Sequence, residues 1–159
     1  MTQEMTAEDY EAMQGLLAEV LGRGGTLADL HGISDDECEA LYALGYGLYE
    51  QRRYEDALKV LAFLVAHNHM EHRYLMALGS AAQVLGKYRD ALQQFAAATL
   101  LDPLEPLSVL QSAECLLALG KHSPAAESLS LALEMCKPGR HDAIKERALL
   151  LRQTMQATA

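Results

Sequence analysis

Residues 44–57 read Leu44-Gly45-Tyr46-Gly47-Leu48-Tyr49-Glu50-Gln51-Arg52-Arg53-Tyr54-Glu55-Asp56-Ala57, and their pattern returns twice, 34 residues further on each time. Leu44-Gly45 falls on Leu78-Gly79 and then on Ser112-Ala113. Arg52-Arg53 falls on Gly86-Lys87 and Gly120-Lys121, a turn in each case. Tyr54 falls on Tyr88 and His122, Ala57 on Ala91 and Ala125, and Leu61 on Phe95 and Leu129. Small residues, turns and large apolar residues recurring in one register mark a helix–turn–helix unit. Gly45, Gly79 and Ala113 sit where the first helix of each unit meets the second, opposite Ala57, Ala91 and Ala125. Side chains without bulk let the two helices approach closely. A unit alone cannot bury its apolar face, so neighbours must stack, and three units are about the minimum for a stable array.

The period, with Pro103 at the end of the second unit, is that of the tetratricopeptide repeat. The expected fold is all-α: three repeats, at about 38–71, 72–105 and 106–139, form a short superhelical array in a single domain over 1–159. First helices are predicted at 36–51, 71–85 and 105–119, and second helices at 54–67, 88–101 and 122–136. Ser34 reads as the cap of the first, with Glu37 completing a capping box. Two helices flank the array. Over 7–21, Met13, Leu16, Leu17, Val20 and Leu21 share one apolar face, and Gly22, Gly24 and Gly25 end the helix. Over 141–156, Ile144, Ala148, Leu151 and Met155 form a stripe that suits a helix capping the open end of the array.

Composition narrows the function. Apolar residues make up 50% of the chain, enough for a core and against intrinsic disorder. No window approaches 18 consecutive apolar residues, so no direct membrane insertion is expected. Met1 to Asp9 holds acidic residues and no Lys or Arg, unlike the basic start of a secretory signal. A net charge of −9 repels phosphate backbones and argues against nucleic acid as a partner. Cys38, Cys115 and Cys136 fit neither a disulfide framework nor a zinc motif and read as small core residues in a reducing cytoplasm.

At 100° per residue, Leu41, Leu44, Gly45 and Leu48 define the core side of the first repeat helix. Tyr42, Tyr46 and Tyr49 form a second stripe, which in such arrays faces the concave surface. The same positions hold Met76, Ser80 and Gln83 in the second repeat, and Leu110, Glu114 and Leu117 in the third. With Tyr54 and Arg73 close by, these residues are the candidate peptide-binding groove. It would hold an extended segment carrying small or branched apolar residues, proline among them. Tyrosine suits that role through large contact area, few rotors and a polar tip. Met76 and Leu110 would continue an apolar floor, while Arg73 and Gln83 would bond the segment.

Other features carry less. The run His67-Asn68-His69-Met70-Glu71-His72 lies at a repeat junction, where polar residues are expected, so no metal and no cofactor are assigned. Asp102, Glu105 and Glu114 have no nucleophile or base at a motif spacing, so no catalytic residue is named. The general alternative is a tetratricopeptide scaffold for protein–protein interaction, or a co-chaperone clamping a C-terminal carboxylate. Such a clamp needs Lys, Arg and Asn where this chain has Tyr46, Ser80 and Glu114.

The chain resembles the class II chaperones of bacterial type III secretion. The resemblance rests on Gly24-Gly25-Thr26-Leu27, on Leu41-Tyr42 with Tyr46, Tyr49 and Tyr54-Glu55-Asp56-Ala57, on Leu78-Gly79, and on Ala113-Glu114-Cys115-Leu116-Leu117. It covers nearly the whole chain. It implies a non-enzymatic bacterial cytoplasmic protein that holds a major and a minor translocator before export, keeping them soluble and unassembled. It also implies a homodimer formed through the N-terminal region, where the apolar face of Met13, Leu16, Leu17, Val20 and Leu21 lies. The groove aromatics of the family fall on Tyr42, Tyr46 and Tyr49.

Overall fold

The structure, a computed structural model, describes residues 26–157 and, before them, Gly15, Ala18 and Gly22, all three helical. The apolar face from Met13 to Leu21 lies outside the described residues. Across 26–157 run α1 (Leu27–His31), α2 (Asp35–Glu50), α3 (Tyr54–His67), α4 (His72–Val84), α5 (Tyr88–Leu101), α6 (Pro106–Ala118), α7 (His122–Met135) and α8 (Asp142–Ala157). No strand occurs among the described residues. Helices α2/α3, α4/α5 and α6/α7 are the three repeated pairs, each packed on the next, with α8 against α7 and α6.

Local chemistry sets the helix ends. The Glu37 carboxylate accepts from the Ser34 backbone N–H at 2.8 Å and from its hydroxyl at 2.9 Å, while Ser34 Oγ accepts from the Glu37 N–H at 3.3 Å. Glu71 and Glu105, one period apart, each cap a first helix by accepting a backbone N–H, from Arg73 and Leu107. Helix α1 falls outside the helices expected from the sequence period. Its five residues are too few for a periodic signal, and its mark is the Thr26–Asp29 pair, in which Asp29 accepts from the Thr26 N–H at 2.7 Å. Each repeat turns at one left-handed residue: Arg52 (φ 61°), Gly86 (φ 72°) and Gly120 (φ 71°). Arg52 holds a conformation that glycine adopts without steric cost. The Arg53 N–H donating to Leu48 O at 2.9 Å closes that turn, as Lys87 and Lys121 do in theirs.

The core repeats with the sequence. Ala57, Ala91 and Ala125 have no exposed surface, and neither do Leu61, Phe95 and Leu129 one turn later. A Cβ on Gly45 would stand 2.7 Å from Leu61 Cδ2, and one on Gly79 would stand 2.6 Å from Phe95 Cε1. Both distances lie inside any real carbon–carbon contact, so glycine is what lets the two helices meet there. At the far end, Ala148 of α8 is fully buried in a cluster with Val109, Leu110, Ala113, Leu129 and Ala132, flanked by Ile144, Leu151 and Met155.

Leu44 departs from the expected core. It is 53% exposed, whereas its repeat mate Leu78 is 8% exposed. Leu78 is covered by Leu48, Ala57 and Leu61 of the preceding repeat. Among the described residues no repeat precedes Leu44, which lines a shallow hollow with Ile33, Glu37, Ala40 and Leu41. Cys38 and Cys115 are buried free thiols and Cys136 is half-buried. Burial pushes the Cys115 thiol up to about 11, which keeps it protonated and unreactive at neutral pH.

Candidate peptide-binding groove

The first helices of the repeats, α2, α4 and α6, share one face of the array and enclose a hollow of about 390 Å³. Tyr42, Tyr46 and Tyr49 come from α2. His72, Arg73, Met76, Ala77 and Ser80 come from α4. Leu107 and Gln111 come from α6, Glu105 from its cap, and Leu61 of α3 reaches the same space.

The three tyrosines differ in setting. The Tyr42 ring is half-buried, 5.3 Å from the Tyr74 ring and 6.2 Å from the Tyr46 ring. Tyr49 packs edge-on against Tyr54 at 5.2 Å. Burial raises the phenol pKa of both Tyr42 and Tyr49, so the wall carries no phenolate at neutral pH. Tyr46 is 49% exposed and offers the most open ring surface.

Behind Tyr42 lies a polar clamp. Arg73 Nη2 donates to Glu39 Oε1 at 2.7 Å and Nε donates to Glu71 Oε1 at 3.3 Å. The buried Tyr74 hydroxyl donates to the same Glu39 oxygen at 2.7 Å. The Tyr74 hydrogen bond, then those from Arg73, hold the Glu39 carboxyl below the usual carboxylate range. The Arg73 guanidinium lies 5.3 Å from the Tyr42 ring centroid and 5.7 Å from that of Tyr74. The sequence alone suggests Arg73 as a group that bonds a guest. The structure commits it to two carboxylates and two rings, where it fixes the Tyr42 wall.

Of the residues expected in the groove, Tyr42, Tyr46, Tyr49, Arg73, Met76 and Ser80 line the hollow together. Ser80 donates its hydroxyl to Met76 O at 2.9 Å. Gln83 lies off the hollow and donates its amide to Glu114 Oε2 at 3.2 Å. Tyr54 supports Tyr49 without reaching the space, and Leu117 does not line it. Leu110 is 4% exposed, because α8 lies over the third repeat and draws this residue into the terminal core. Leu110 and Glu114 instead border a separate hollow against α8.

The reason is the rotation between repeats. A shift by 34 carries Tyr42 to Met76 and Leu110, and Tyr46 to Ser80 and Glu114. The hollow does not follow that line. It starts on the middle and C-terminal half of α2 and ends on the N-terminal half of α6, at Leu107 and Gln111. Each repeat is rotated against the last, so the concave face crosses successive helices at an earlier turn. Leu61, His72, Ala77, Glu105, Leu107 and Gln111 therefore line the hollow without belonging to the expected stripe. The available signal was that Arg73 and Ala77 are the repeat mates of Leu107 and Gln111.

Of the histidine run, His67 bonds Phe63 O through Nδ1 at 2.8 Å and packs on the Phe63 and His31 rings. Among the described residues, no group of three or more His, Cys, Asp or Glu side chains is arranged to hold a metal. No helix of the described residues is long and apolar enough to cross a membrane.

Comparison with known proteins gives one consistent set of relatives. The family model for the tetratricopeptide repeat matches residues 42–83 and 76–140. The low calcium response locus protein H of Yersinia pestis is 36% identical over 135 residues, spanning 85% of this chain and 79% of that protein. The type III secretion translocator chaperone SycD of Yersinia enterocolitica, solved as an alternative dimer, is 30% identical with a TM-score of 0.74, over 79% of this chain and 96% of that one. PcrH of Pseudomonas aeruginosa, solved in complex with the chaperone-binding region of PopD, is 34% identical with a TM-score of 0.74, over 80% of this chain and 96% of that one.

Proposed function

Because the chain belongs to the tetratricopeptide-repeat chaperones of type III secretion translocators, we propose that it holds translocator proteins through an extended segment lying in the tyrosine-lined hollow. The observation that carries this reading is the hollow itself: an apolar space on the shared face of the first helices, walled by Tyr42, Tyr46, Tyr49 and Met76. An extended guest fits such a wall because side chains fill the apolar space while the backbone meets polar groups at its edge. Proline in the guest would keep the segment extended with little conformational freedom to lose.

No catalysis is assigned in this reading. The relatives are chaperones, and binding alone keeps an apolar membrane-active client from assembling early. The work is cytoplasmic and bacterial, since a client awaiting export is still inside the cell. A carboxylate-clamping co-chaperone fits less well, because Arg73 is already engaged by Glu39 and Glu71.

The test combines Tyr46→Ala with Tyr49→Ala. Aromatic anchors dominate such interfaces, so client affinity should fall by about 2 kcal/mol or more, roughly thirtyfold. Circular dichroism serves as the folding control, and co-purification with a co-expressed type III secretion translocator as the readout. A folded double variant that retains its client in full would make the tyrosines structural.

The reading includes a homodimer, supported by SycD and by the apolar face of Met13, Leu16, Leu17, Val20 and Leu21. Two-fold pairing is the default for such a face. Deleting residues 1–21 should convert a dimer into a folded monomer by light scattering. A full-length protein that is already monomeric at high micromolar concentration rules the dimer out.

A further inference from the structure

Beside the tyrosine hollow lies a second one, of about 330 Å³, walled on its far side by α8. It shares Leu107 and Gln111 with the first, so the two are neighbours across that pair of side chains. Ala143 and Ile144 of α8 face it, and Glu114 and Arg147 border it as an ion pair with Nε to Oε1 at 2.8 Å. Its lining contains aliphatic side chains and no aromatic ring. At the junction of the two hollows, the Gln111 side-chain oxygen is buried and has no hydrogen-bond partner. A buried acceptor left unpaired is unfavourable, and because Gln111 as a residue is only half-buried, a turn of its amide would bring the oxygen to an N–H of a guest backbone.

We infer that this second hollow is a further subsite of the groove: the segment seated against the tyrosines continues past Gln111 and places one aliphatic side chain between α6 and α8. The inference rests on the proposed function of the tyrosine hollow and extends it. An extended chain repeats side-chain direction every two residues, about 6.4–6.8 Å. Neighbouring hollows with a shared wall therefore take side chains about two or four positions apart. Between those positions, a backbone N–H of the segment passes the Gln111 oxygen. The C-terminal helix then acts as a specificity wall as well as a cap.

The test uses the full chain and a phage-displayed library of randomised peptides about twelve residues long, roughly 40 Å when extended. The best peptide selected on the wild type is labelled and titrated by fluorescence anisotropy against three variants. Ala143→Trp fills the second hollow from an exposed position on α8 without touching the core. Gln111→Met removes the unpaired acceptor and keeps the side-chain length. Tyr46→Ala with Tyr49→Ala reports on the first hollow alone. The expected result is a selected motif with two apolar positions spaced as above. Binding to Ala143→Trp should weaken about tenfold or more, and binding to Gln111→Met about tenfold, with melting temperatures unchanged or higher. Wild-type affinity for Ala143→Trp, with binding lost in the double tyrosine variant, would overturn the second subsite and leave the tyrosine groove standing. Wild-type affinity in the double tyrosine variant would remove the groove reading and this inference with it.

Discussion

Phe95→Ala is expected to destabilise the protein by about 3–5 kcal/mol, the range for deleting a fully buried aromatic ring from a close-packed core. Phe95 has no exposed surface and packs among Ala82, Ala91 and Cys115. Its ring occupies the space that a side chain on Gly79 would need. The two positions are therefore coupled, and the coupling has a predicted sign change. In the wild type, Gly79→Ala forces its Cβ to 2.6 Å from the ring, an overpacking that costs about 1–3 kcal/mol. In the Phe95→Ala background the obstruction is gone, and the helix preference of alanine over glycine, about 1 kcal/mol, should make Gly79→Ala stabilising. Urea titrations of the four proteins, followed by circular dichroism, measure the cycle. If Gly79→Ala has the same effect in both backgrounds, the ring does not dictate the glycine. The first repeat shows the same close approach, since a Cβ on Gly45 would stand 2.7 Å from Leu61, the repeat mate of Phe95.

Ala148→Asp is expected to cost about 3 kcal/mol or more, because a carboxyl group would enter an apolar cluster with no partner. Ala148 is the fully buried residue of α8, facing Leu110, Ala113, Leu129 and Ala132. Protonation would reduce the penalty without removing it, since the neutral acid still lacks a hydrogen-bond partner there. The loss should concentrate at one end. Amide hydrogen exchange should quicken in α8, α6 and α7 while α2 and α3 keep wild-type protection, since each repeat is held mainly by its neighbours. Ala143→Asp is the control. It is exposed in the first turn of α8, where a carboxylate is favoured by the helix dipole, so its stability should stay within about 0.5 kcal/mol. An Ala148→Asp protein that melts like the wild type would show that α8 does not cap the array.

The elements most visible in the sequence are those built from local rules repeated three times. The 34-residue overlay places α3 and α5 at their observed bounds and the other repeat helices to within a residue or so. Ser34 and Glu37 announce the start of α2 through chemistry confined to four residues. The stripe of Ile144, Ala148, Leu151 and Met155 names the buried face of α8, because burial on one side of a helix imposes its own period. The tyrosines of α2 are likewise found by period alone.

The rest depends on how many small contacts add up across the array. Repeat-to-repeat rotation has no signature at any one position, and it moved the hollow from Leu110 and Leu117 to Leu107 and Gln111. Position in the array, with or without a preceding repeat, separates the exposed Leu44 from the buried Leu78, although the two residues are identical in type and register. Arg73 meets Glu39 because residues one repeat apart stack side by side, and that contact turns a free charge into the support of a tyrosine wall. Hydrophobic period and capping chemistry are properties of a segment, and one chain is enough to read them. The path of a groove and the commitment of a charge are properties of neighbouring surfaces, and they exist only once the helices are stacked.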